Sequence, residues 1–274
     1  MSETKRRLVL VRGAGDIATG TIVRLARSGF SVVALETENP TAIRRTVAFS
    51  EAVYEGEVIV EGMRARKADS IAEALKLAAR GIVPILVDPA CGSIAKLAPL
   101  ALVDAIIAKR NLGTSSSMAG IVVALGPGFV APRDAHAVVE TNRGHDLGRV
   151  ILEGAAEPDT GSPGIIGGKS AERVVHAPKA GFVKGLRAIG DSVKAGEPIL
   201  ALVGLQFGDI AEVPSPLDGT LRGLIRPGLR VPEGLKIADV DPRGVRDHCF
   251  SISDKARAVS GGVLEAILSL GGRP

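Results

Sequence analysis

The chain has 274 residues, of which 46% are hydrophobic and 23% charged, close to the globular average, so most of the chain is not disordered. Its 34 basic and 30 acidic side chains give a net charge of +4, and neither half carries the dense basic stripe of a nucleic-acid binder. Aromatic residues make up 3%, and tryptophan is absent, so bases would find few stacking platforms. We therefore expect no nucleic-acid partner.

Cysteine usage and hydropathy bear on the compartment. Cys91 and Cys249 are too few for a disulfide scaffold, which favours a reducing environment. The apolar run at 8–11 is too short for the core of a signal peptide, and no stretch approaches the roughly 20 apolar residues that cross a bilayer. We expect a soluble, cytoplasmic protein without a membrane partner.

The first predicted domain, 1–172, opens with a dinucleotide-binding pattern. An apolar run at 8–11 predicts a buried strand, and the segment 13–18 fits the G-x-G-x-x-G/A fingerprint. A predicted helix at 17–27 and a predicted strand at 31–35 follow, and Glu36 stands at the end of that strand. This order is typical of a phosphate-binding turn followed by an acid on a ribose.

Two interpretations of this pattern stay open. In the first, Gly13, Gly15 and Asp16 line a phosphate-binding turn, and Glu36 binds the sugar of an NAD-like nucleotide or the edge of a pterin. In the second, the two glycines only make a tight strand-to-helix turn, with no nucleotide.

The rest of this domain alternates predicted strands and helices. Ser70 and Glu73 form a capping box before a predicted helix at 71–80. The other expected elements are a helix at 41–50, a hairpin at 57–60 and 63–66, and strands at 83–87, 101–103, 121–125 and 137–139. The alternation predicts an α/β, Rossmann-like, mostly parallel sheet whose ligand lies at the carboxyl ends of the strands.

Three loops at that predicted edge combine glycine with charge, at 108–114, 125–129 and 140–149. Arginine and lysine can pair with a phosphate or another oxyanion, and glycine lets backbone N–H groups approach it. The candidate ligand-binding residues in these loops are Lys109, Arg110, Asn111, Gly126, Gly128, Asn142 and Arg143. The alternative is that the loops are simply solvated.

The candidate catalytic residues are His145, Asp146 and Cys91. His145 could act as an acid or base oriented by Asp146, although adjacent residues on a regular element point apart. Cys91 follows a predicted strand and could be a nucleophile or sulfur carrier, or a small buried residue. The histidine spacings match no metal motif, so we expect no metal site.

From about Arg173 the chain repeats itself with an offset of 38 residues. Pro178, Gly181 and Gly190 recur as Pro216, Gly219 and Gly228. Segments this short must interlock to bury a core, so 173–240 predicts a second, all-β domain. The final segment, 241–274, contains a predicted helix at 261–268 and is expected to pack back on the first domain.

The repeat resembles the barrel-sandwich hybrid of biotinyl and lipoyl carrier domains, through the phrases at 177–183 and 189–197. Such carriers attach their group to a lysine between the two halves. The corresponding link, 204–210, has no lysine. The resemblance therefore implies the architecture of a carrier domain. The missing lysine argues against a carrier's swinging arm.

Several phrases together resemble the YqeB-type accessory proteins of the selenium-dependent molybdenum hydroxylase system, which are associated with XdhC-type proteins. They are 11–20, 44–49, 108–114, 140–149 and 239–244. The resemblance implies a maturation protein that binds a nucleotide or the pyranopterin molybdenum cofactor and meets a molybdenum hydroxylase and its other maturation proteins. It leaves the reaction open.

Three functions follow from these patterns. The first is the accessory protein, holding a small anionic ligand with Lys109, Arg110 and Arg143. The second is an NAD-dependent oxidoreductase with His145 as acid/base. The third is a docking module built on the repeat. Whether the protein is an enzyme, and whether it forms a homo-oligomer, stay open.

Overall fold

The computed structural model describes residues 7–159, 161, 164–204, 206 and 208–274. The chain forms two compact units. The first comprises Met1–Pro40, Ala48–Thr160 and Ile252–Pro274, and the second comprises Thr41–Val47 and Gly161–Ser251. The second unit thus begins before the expected boundary at 173 and includes a short segment from early in the chain.

A nine-stranded sheet organises the first unit. The strands of this unit are β1 (Leu8–Arg12), β2 (Ser31–Glu36), β3 (Glu57–Val60), β4 (Met63–Ala68), β5 (Val83–Val87), β6 (Ala101–Asp104), β7 (Ile121–Leu125), β8 (Val130–Ala131), β9 (Ala137–Val139), β10 (Val150–Ile151) and β11 (Gly154–Ala155). The order in the large sheet is β10-β9-β7-β6-β1-β2-β5-β4-β3, and β8 pairs with β11 separately. β1 lies at the centre between β2 and β6, in parallel register with both.

The helices of the first unit are α1 (Asp16–Arg27), α2 (Ala52–Glu55), α3 (Ile71–Ala78), α4 (Ile94–Leu97) and α5 (Asp254–Ser269). α5 approaches α1 closely because both present small residues, and a Cβ on Gly20 would lie 2.8 Å from the Cβ of Ala256. The expected helix at 41–50 is instead two 3-10 turns, Arg45–Val47 and Phe49–Glu51. Among the described residues, no helix combines the length and the hydropathy of a transmembrane span.

The predicted Rossmann-like, mostly parallel sheet is wrong as a description of this unit. The inner strands run parallel, but the antiparallel pairs β3–β4 and β9–β10 close the two edges, so the sheet is mixed. Helical crossovers connect the strands of a doubly wound domain. Here a 3-10 turn at Ser116–Met118 precedes β7, and the short strand β8 follows it. The unit is therefore α/β only in part.

The second unit is an antiparallel β-sandwich. Its strands are β12 (Val174–His176), β13 (Gly181–Gly185), β14 (Ser192–Val193), β15 (Pro198–Val203), β16 (Ile210–Pro214), β17 (Gly219–Leu224), β18 (Arg230–Val231) and β19 (Lys236–Asp241). They form two four-stranded sheets, β12-β19-β17-β14 and β16-β15-β13-β18. The fold class is thus a mixed sheet with a separate sandwich, in place of the predicted Rossmann-like and barrel-sandwich-hybrid pair.

Each sheet of the sandwich takes two strands from each sequence repeat. The first copy supplies β12 to β15 and the second supplies β16 to β19, and exchanging the copies converts one strand order into the other. The core between the sheets contains matched positions of the repeat, such as Val183 with Leu221 and Ile199 with Ile237. Leu205 and Phe207, in the link between the copies, lie outside the described residues.

Candidate functional site

The carboxyl ends of β1, β5 and β6 form the candidate site of the first unit. From β1 the chain passes to β2 on one side and later to β6 on the other, so the strand order reverses at β1. Ligands of open α/β sheets bind outside the carboxyl ends of the strands at such a reversal. We call the segments 12–16, 88–93 and 104–114 the switch-point edge.

A buried arginine joins the three segments of this edge. Arg12 is 7% exposed. Its Nη1 donates to Thr114 Oγ1 at 2.9 Å, and its Nη2 donates to the carbonyl oxygens of Pro89 at 3.0 Å and Leu112 at 2.9 Å. Asp104 lies 3.5 Å from Nη1 and accepts from Thr114 Oγ1 at 2.6 Å. This network fixes the loops after β5 and β6 against the end of β1.

The same loops contain strained backbone. Five non-glycine residues have positive φ in the part of the chain that the structure describes, and three of them lie here: Cys91 at 60°, Ile107 at 58° and Lys109 at 61°. This conformation is a genuine outlier for a β-branched side chain such as isoleucine. Strain of this kind persists only where the surroundings impose it, and it concentrates at functional sites.

The glycine turn after β1 adopts the predicted strand-to-helix geometry. Gly13 has φ of 99°, and a Cβ there would lie 3.0 Å from the carbonyl oxygen of Ala105, so this position needs glycine. A Cβ on Gly15 would meet nothing within 4 Å, so the start of α1 faces open space. The first glycine therefore serves chain packing, and the second leaves room for a ligand.

Two carboxylates occupy the N–H groups that a dinucleotide phosphate would need. Glu36 accepts from the backbone N–H of Ala14 at 2.9 Å and of Thr37 at 2.7 Å. Asp16 accepts from the N–H of Ile17 at 2.9 Å. Anions are favoured at a helix N-terminus because its N–H groups are unpaired. Here the protein supplies the anions itself, which opposes a pyrophosphate at this turn and leaves Glu36 engaged by backbone rather than open to a ribose.

The two cations of the basic loop after β6 have different surroundings, one ion-paired and one exposed. Lys109 Nζ lies 2.7 Å from Asp159 Oδ2 in an ion pair. Arg110 is exposed and makes no hydrogen bond or ion pair within the described ranges. The Oδ1 of Asn111 accepts from the backbone N–H groups of Gly113 at 2.9 Å and Thr114 at 2.8 Å. Asn111 therefore shapes the loop, and Arg110 is its available cation.

Gly126 and Gly128 allow two chain segments to cross. A Cβ on Gly128 would lie 2.5 Å from the Cα of Arg110, and one on Gly126 would lie 2.5 Å from Thr141 Oγ1. Both glycines have positive φ. Their role in the structure is close packing beside the basic loop.

The phrase at 140–149 is held by internal contacts. Glu140, 3% exposed, accepts from the N–H groups of Thr141 and Asn142 at 2.6 Å each and of Glu157 at 2.7 Å. Asn142 also donates to the Glu157 carboxylate. Arg143, by contrast, forms a two-donor pair with Asp254 at the start of α5, at 2.7 and 2.8 Å. Arg143 thus anchors the start of α5.

The three candidate catalytic residues do not assemble. His145 is exposed, and the Asp146 carboxylate faces Arg149 at 3.4 Å rather than the imidazole. Cys91 is 2% exposed. Burial raises the pKa of its thiol, and the neighbouring Arg12 charge does not overcome this effect. A buried neutral thiol is a poor nucleophile. Among the described residues, no three His, Cys, Asp or Glu side chains converge as metal ligands.

A groove of about 480 Å³ lies beside the 140–149 phrase. Its charged lining residues are four acids, Glu140, Asp146, Glu153 and Glu157, and one base, Arg149. The acidic excess disfavours an anion in this groove. The groove and the basic loop are thus opposite in charge within one unit.

The motifs in the sequence did not indicate Arg12, Asp104, Thr114 or Asp88 as site residues. Asp88 accepts from the N–H groups of Gly92 at 2.9 Å and Ser93 at 2.7 Å, and so shapes the loop that contains Cys91. The available signal was position, because Arg12 ends β1 and Asp104 ends β6. Each of these two otherwise apolar strands ends in a charged residue, and the two charges are opposite in sign. That pattern could have indicated the network.

No family model matches the chain. An Escherichia coli (strain K12) protein described as uncharacterized protein YqeB is 53% identical over 264 residues, which are 96% of this chain and 48% of that protein. The chain therefore spans about half the length of this curated relative. The relative's description carries no activity to the present chain.

Several solved structures match the chain at low identity and low TM-score. A succinylglutamate desuccinylase/aspartoacylase from Rhodobacter sphaeroides is 14% identical, with 85% of each chain covered and a TM-score of 0.28. An aspartoacylase family protein from Mesorhizobium loti is 9% identical, with 85% of this chain and 84% of that one covered and a TM-score of 0.30. The ectoine utilization protein EutE (DoeB) from Ruegeria pomeroyi is 12% identical, with 85% and 57% covered and a TM-score of 0.25. Such scores imply no activity for this chain.

These comparisons contradict the expected family and function. The relative is described only as uncharacterized, and the solved structures are described as desuccinylase, aspartoacylase and ectoine-utilization proteins. The assignment to XdhC-associated accessory proteins of a selenium-dependent molybdenum hydroxylase is therefore wrong. With it fall the role in maturation of a molybdenum hydroxylase and Rossmann-type nucleotide binding. The carboxylates on the glycine turn give the physical reason against the nucleotide.

Proposed function

We propose that the first unit binds a small anionic ligand, carrying a carboxylate or a phosphate, at its switch-point edge. The observation that carries this proposal is Arg110, an exposed guanidinium without a protein partner among the described residues, on a loop whose backbone is fixed. A guanidinium presents a planar fork of donors that matches carboxylate and phosphate oxygens.

The loop around Arg110 is preorganised. Arg12 holds it through the carbonyl of Leu112, and Gly128 packs against the backbone of Arg110 itself. The preceding residue, Lys109, is kept in the left-handed region and paired with Asp159. A cation on a fixed backbone loses little freedom on binding, which favours affinity.

The acidic side chains of the same edge already have hydrogen-bond or ion-pair partners, which reduces their repulsion of an anionic ligand. Asp104 is paired with Arg12 and Thr114, and Asp88 accepts two backbone N–H groups. The acids near the start of α1, Asp16 and Glu36, also accept backbone N–H groups. We therefore place the anion at Arg110, on the side of the edge away from the glycine turn.

The test is isothermal titration calorimetry of the whole chain with phosphate, acetate and malonate at fixed ionic strength. Arg110→Ala should weaken binding by about 1.5–3 kcal/mol, or roughly 10- to 150-fold, the range for hydrogen bonds to charged groups. Arg110→Lys should recover only part of the loss, because an ammonium lacks the planar fork. NAD is expected not to bind.

The matched control is Arg133→Ala. Arg133 is an arginine of the same unit with a 72% exposed side chain, already paired with Asp134, so its removal should leave binding unchanged. Equal affinity of wild type, Arg110→Ala and Arg110→Lys would refute the proposal. Binding of amines in preference to anions would instead assign the function to the acidic groove.

A further inference from the structure

The second unit contains a cluster of buried charges that neither the repeat nor the proposed site explains. Asp239 and Asp241 on β19 and Arg222 on β17 are 4%, 1% and 5% exposed. Their strand neighbours Leu221, Ala238 and Val240 belong to the apolar core. Because side chains alternate along a strand, the charged residues lie on the opposite face of the sheet.

Both carboxylates of the cluster already have partners. Asp239 pairs with the guanidinium of the buried Arg173. Asp241 accepts from Arg243, from Nε at 2.9 Å and from Nη2 at 2.6 Å. These contacts also place residues of the 239–244 phrase in the cluster.

Arg222 makes no hydrogen bond to any residue that the structure describes. Its shortest contact to an acid joins Nη1 to Asp241 Oδ2 at 3.7 Å, beyond hydrogen-bond distance, and its buried Nε has no partner within the described ranges. A guanidinium carries five N–H donors, and a buried charge with unsatisfied donors is costly. An acceptor is therefore missing beside this side chain.

A second buried arginine adds to the positive charge. Arg44, 6% exposed, donates from Nη2 to the carbonyl oxygens of His248 at 3.0 Å and Ser251 at 3.1 Å. Burial lowers the pKa of Arg222, and the charges of Arg44 and Arg243 lower it further against the opposite effect of the two aspartates. Arg222 therefore lies near two other positive charges.

The second unit covers this face with its own segments. The carbonyl oxygen of Ile43 accepts from the N–H of Leu224 at 2.8 Å, and Arg45 Nε donates to the carbonyl of Leu224 at 2.7 Å. The buried Cys249 approaches the carbonyl of Leu221 at 3.8 Å. An occupant of the cluster must therefore be small.

We propose that the second unit binds a small oxyanion (phosphate, sulfate or a short carboxylate) beside Arg222 and Arg44. Such an ion supplies acceptors for the donors of Arg222. Charge-assisted hydrogen bonds from guanidinium groups are among the strongest that proteins make. This site is separate from the one proposed at Arg110.

The experiment uses the whole chain carrying Arg110→Ala, which removes the proposed ligand contact of the first unit. Thermal unfolding and calorimetry are followed during titration with sodium phosphate, sulfate, acetate or chloride at constant ionic strength. We expect saturable binding of one oxyanion per chain with a rise in Tm, and no such response to chloride. The comparison among phosphate, sulfate and acetate identifies the preferred class.

Arg222→Met should abolish the saturable response, and Arg222→Lys should weaken it by roughly tenfold or more, because a single ammonium replaces a two-donor fork. Arg230→Met is the control, since Arg230 is exposed on β18 of the same unit. If the methionine variant does not fold, Arg222→Lys and Arg44→Lys carry the comparison. A response shared by wild type and the Arg222 variants, or no saturable response in wild type, would overturn the proposal.

Discussion

Two buried arginines, one in each unit, show how differently the same side chain can be accommodated. Arg12 and Arg222 are exposed to nearly the same extent, 7% and 5%. Arg12 donates three hydrogen bonds and faces Asp104, whereas Arg222 has one ion pair at 3.7 Å and no hydrogen bond within the described ranges. The role of a buried arginine is therefore indicated by its hydrogen-bond partners and not by its burial alone.

The difference separates a structural cation from a binding one. Both Nη atoms of Arg12 donate to protein acceptors, and its Nε has no partner within the described ranges. This residue therefore positions loops, and the ligand falls to the exposed Arg110 on one of them. Arg222 has donors to spare in an enclosed place, so its missing acceptor must come from elsewhere. Removing Arg12 should therefore lower stability, whereas removing Arg222 should abolish oxyanion binding with little change in stability.

The largest effect should come from Arg12→Met. The substitution leaves the buried Asp104 without its cation and releases two loops, and breaking a buried pair from one side typically costs about 3–5 kcal/mol. Urea unfolding followed by circular dichroism measures the loss. The double variant Arg12→Met/Asp104→Asn should be more stable than the additive sum, because no unpaired charge remains. A loss below about 1 kcal/mol would show that Arg12 does not hold the edge together.

A smaller effect is expected from Asp88→Asn, next to the same network. Burial opposes ionisation of Asp88, but hydrogen bonds from Ser93 and Gly92 and the charge of Arg12 outweigh it and lower the pKa below 3.8. A lowered pKa stabilises the folded state above pH 3.8, and that contribution is lost as the pH falls through the folded value.

We expect Asp88→Asn to cost about 1 kcal/mol at pH 7, comparable to the loss of a helix cap. The unfolding free energies of variant and wild type should converge as the pH falls below about 4. Unfolding by urea at a series of pH values checks this. A difference that stayed constant down to pH 2 would mean that the Asp88 charge contributes nothing.

Local features of the fold could be predicted because they depend on neighbouring residues. Ser70 accepts from the N–H of Glu73, as the capping-box spacing indicates, and the hairpin of β3 and β4 turns at Glu61 and Gly62. The repeat offset of 38 likewise located the interlocked strands of the second unit. Mixed edges and missing crossover helices depend on how distant segments pair, so the fold class was wrong.

The candidate site was less predictable for the same reason. The sequence located the basic loop and the glycine turn, but it could not show that Glu36 turns back onto the N–H of Ala14. Nor could it show that Arg143 pairs with Asp254, 111 residues away. A charged residue is a ligand candidate only after its protein partners are known, and those partners are set by tertiary contacts.

The smallest effect on stability should come from Arg222→Met in buffer without oxyanions. Asp241 keeps its two hydrogen bonds from Arg243, so the substitution leaves no carboxylate unpaired. Replacing a poorly paired buried charge with an apolar side chain is often neutral or stabilising. We expect the unfolding free energy to change by less than about 1 kcal/mol, in contrast to Arg12→Met. Adding phosphate should stabilise wild type alone, because only the native site with Arg222 binds the ion, and mass action then favours folding. A loss of about 3 kcal/mol without oxyanions would instead make Arg222 a structural cation like Arg12.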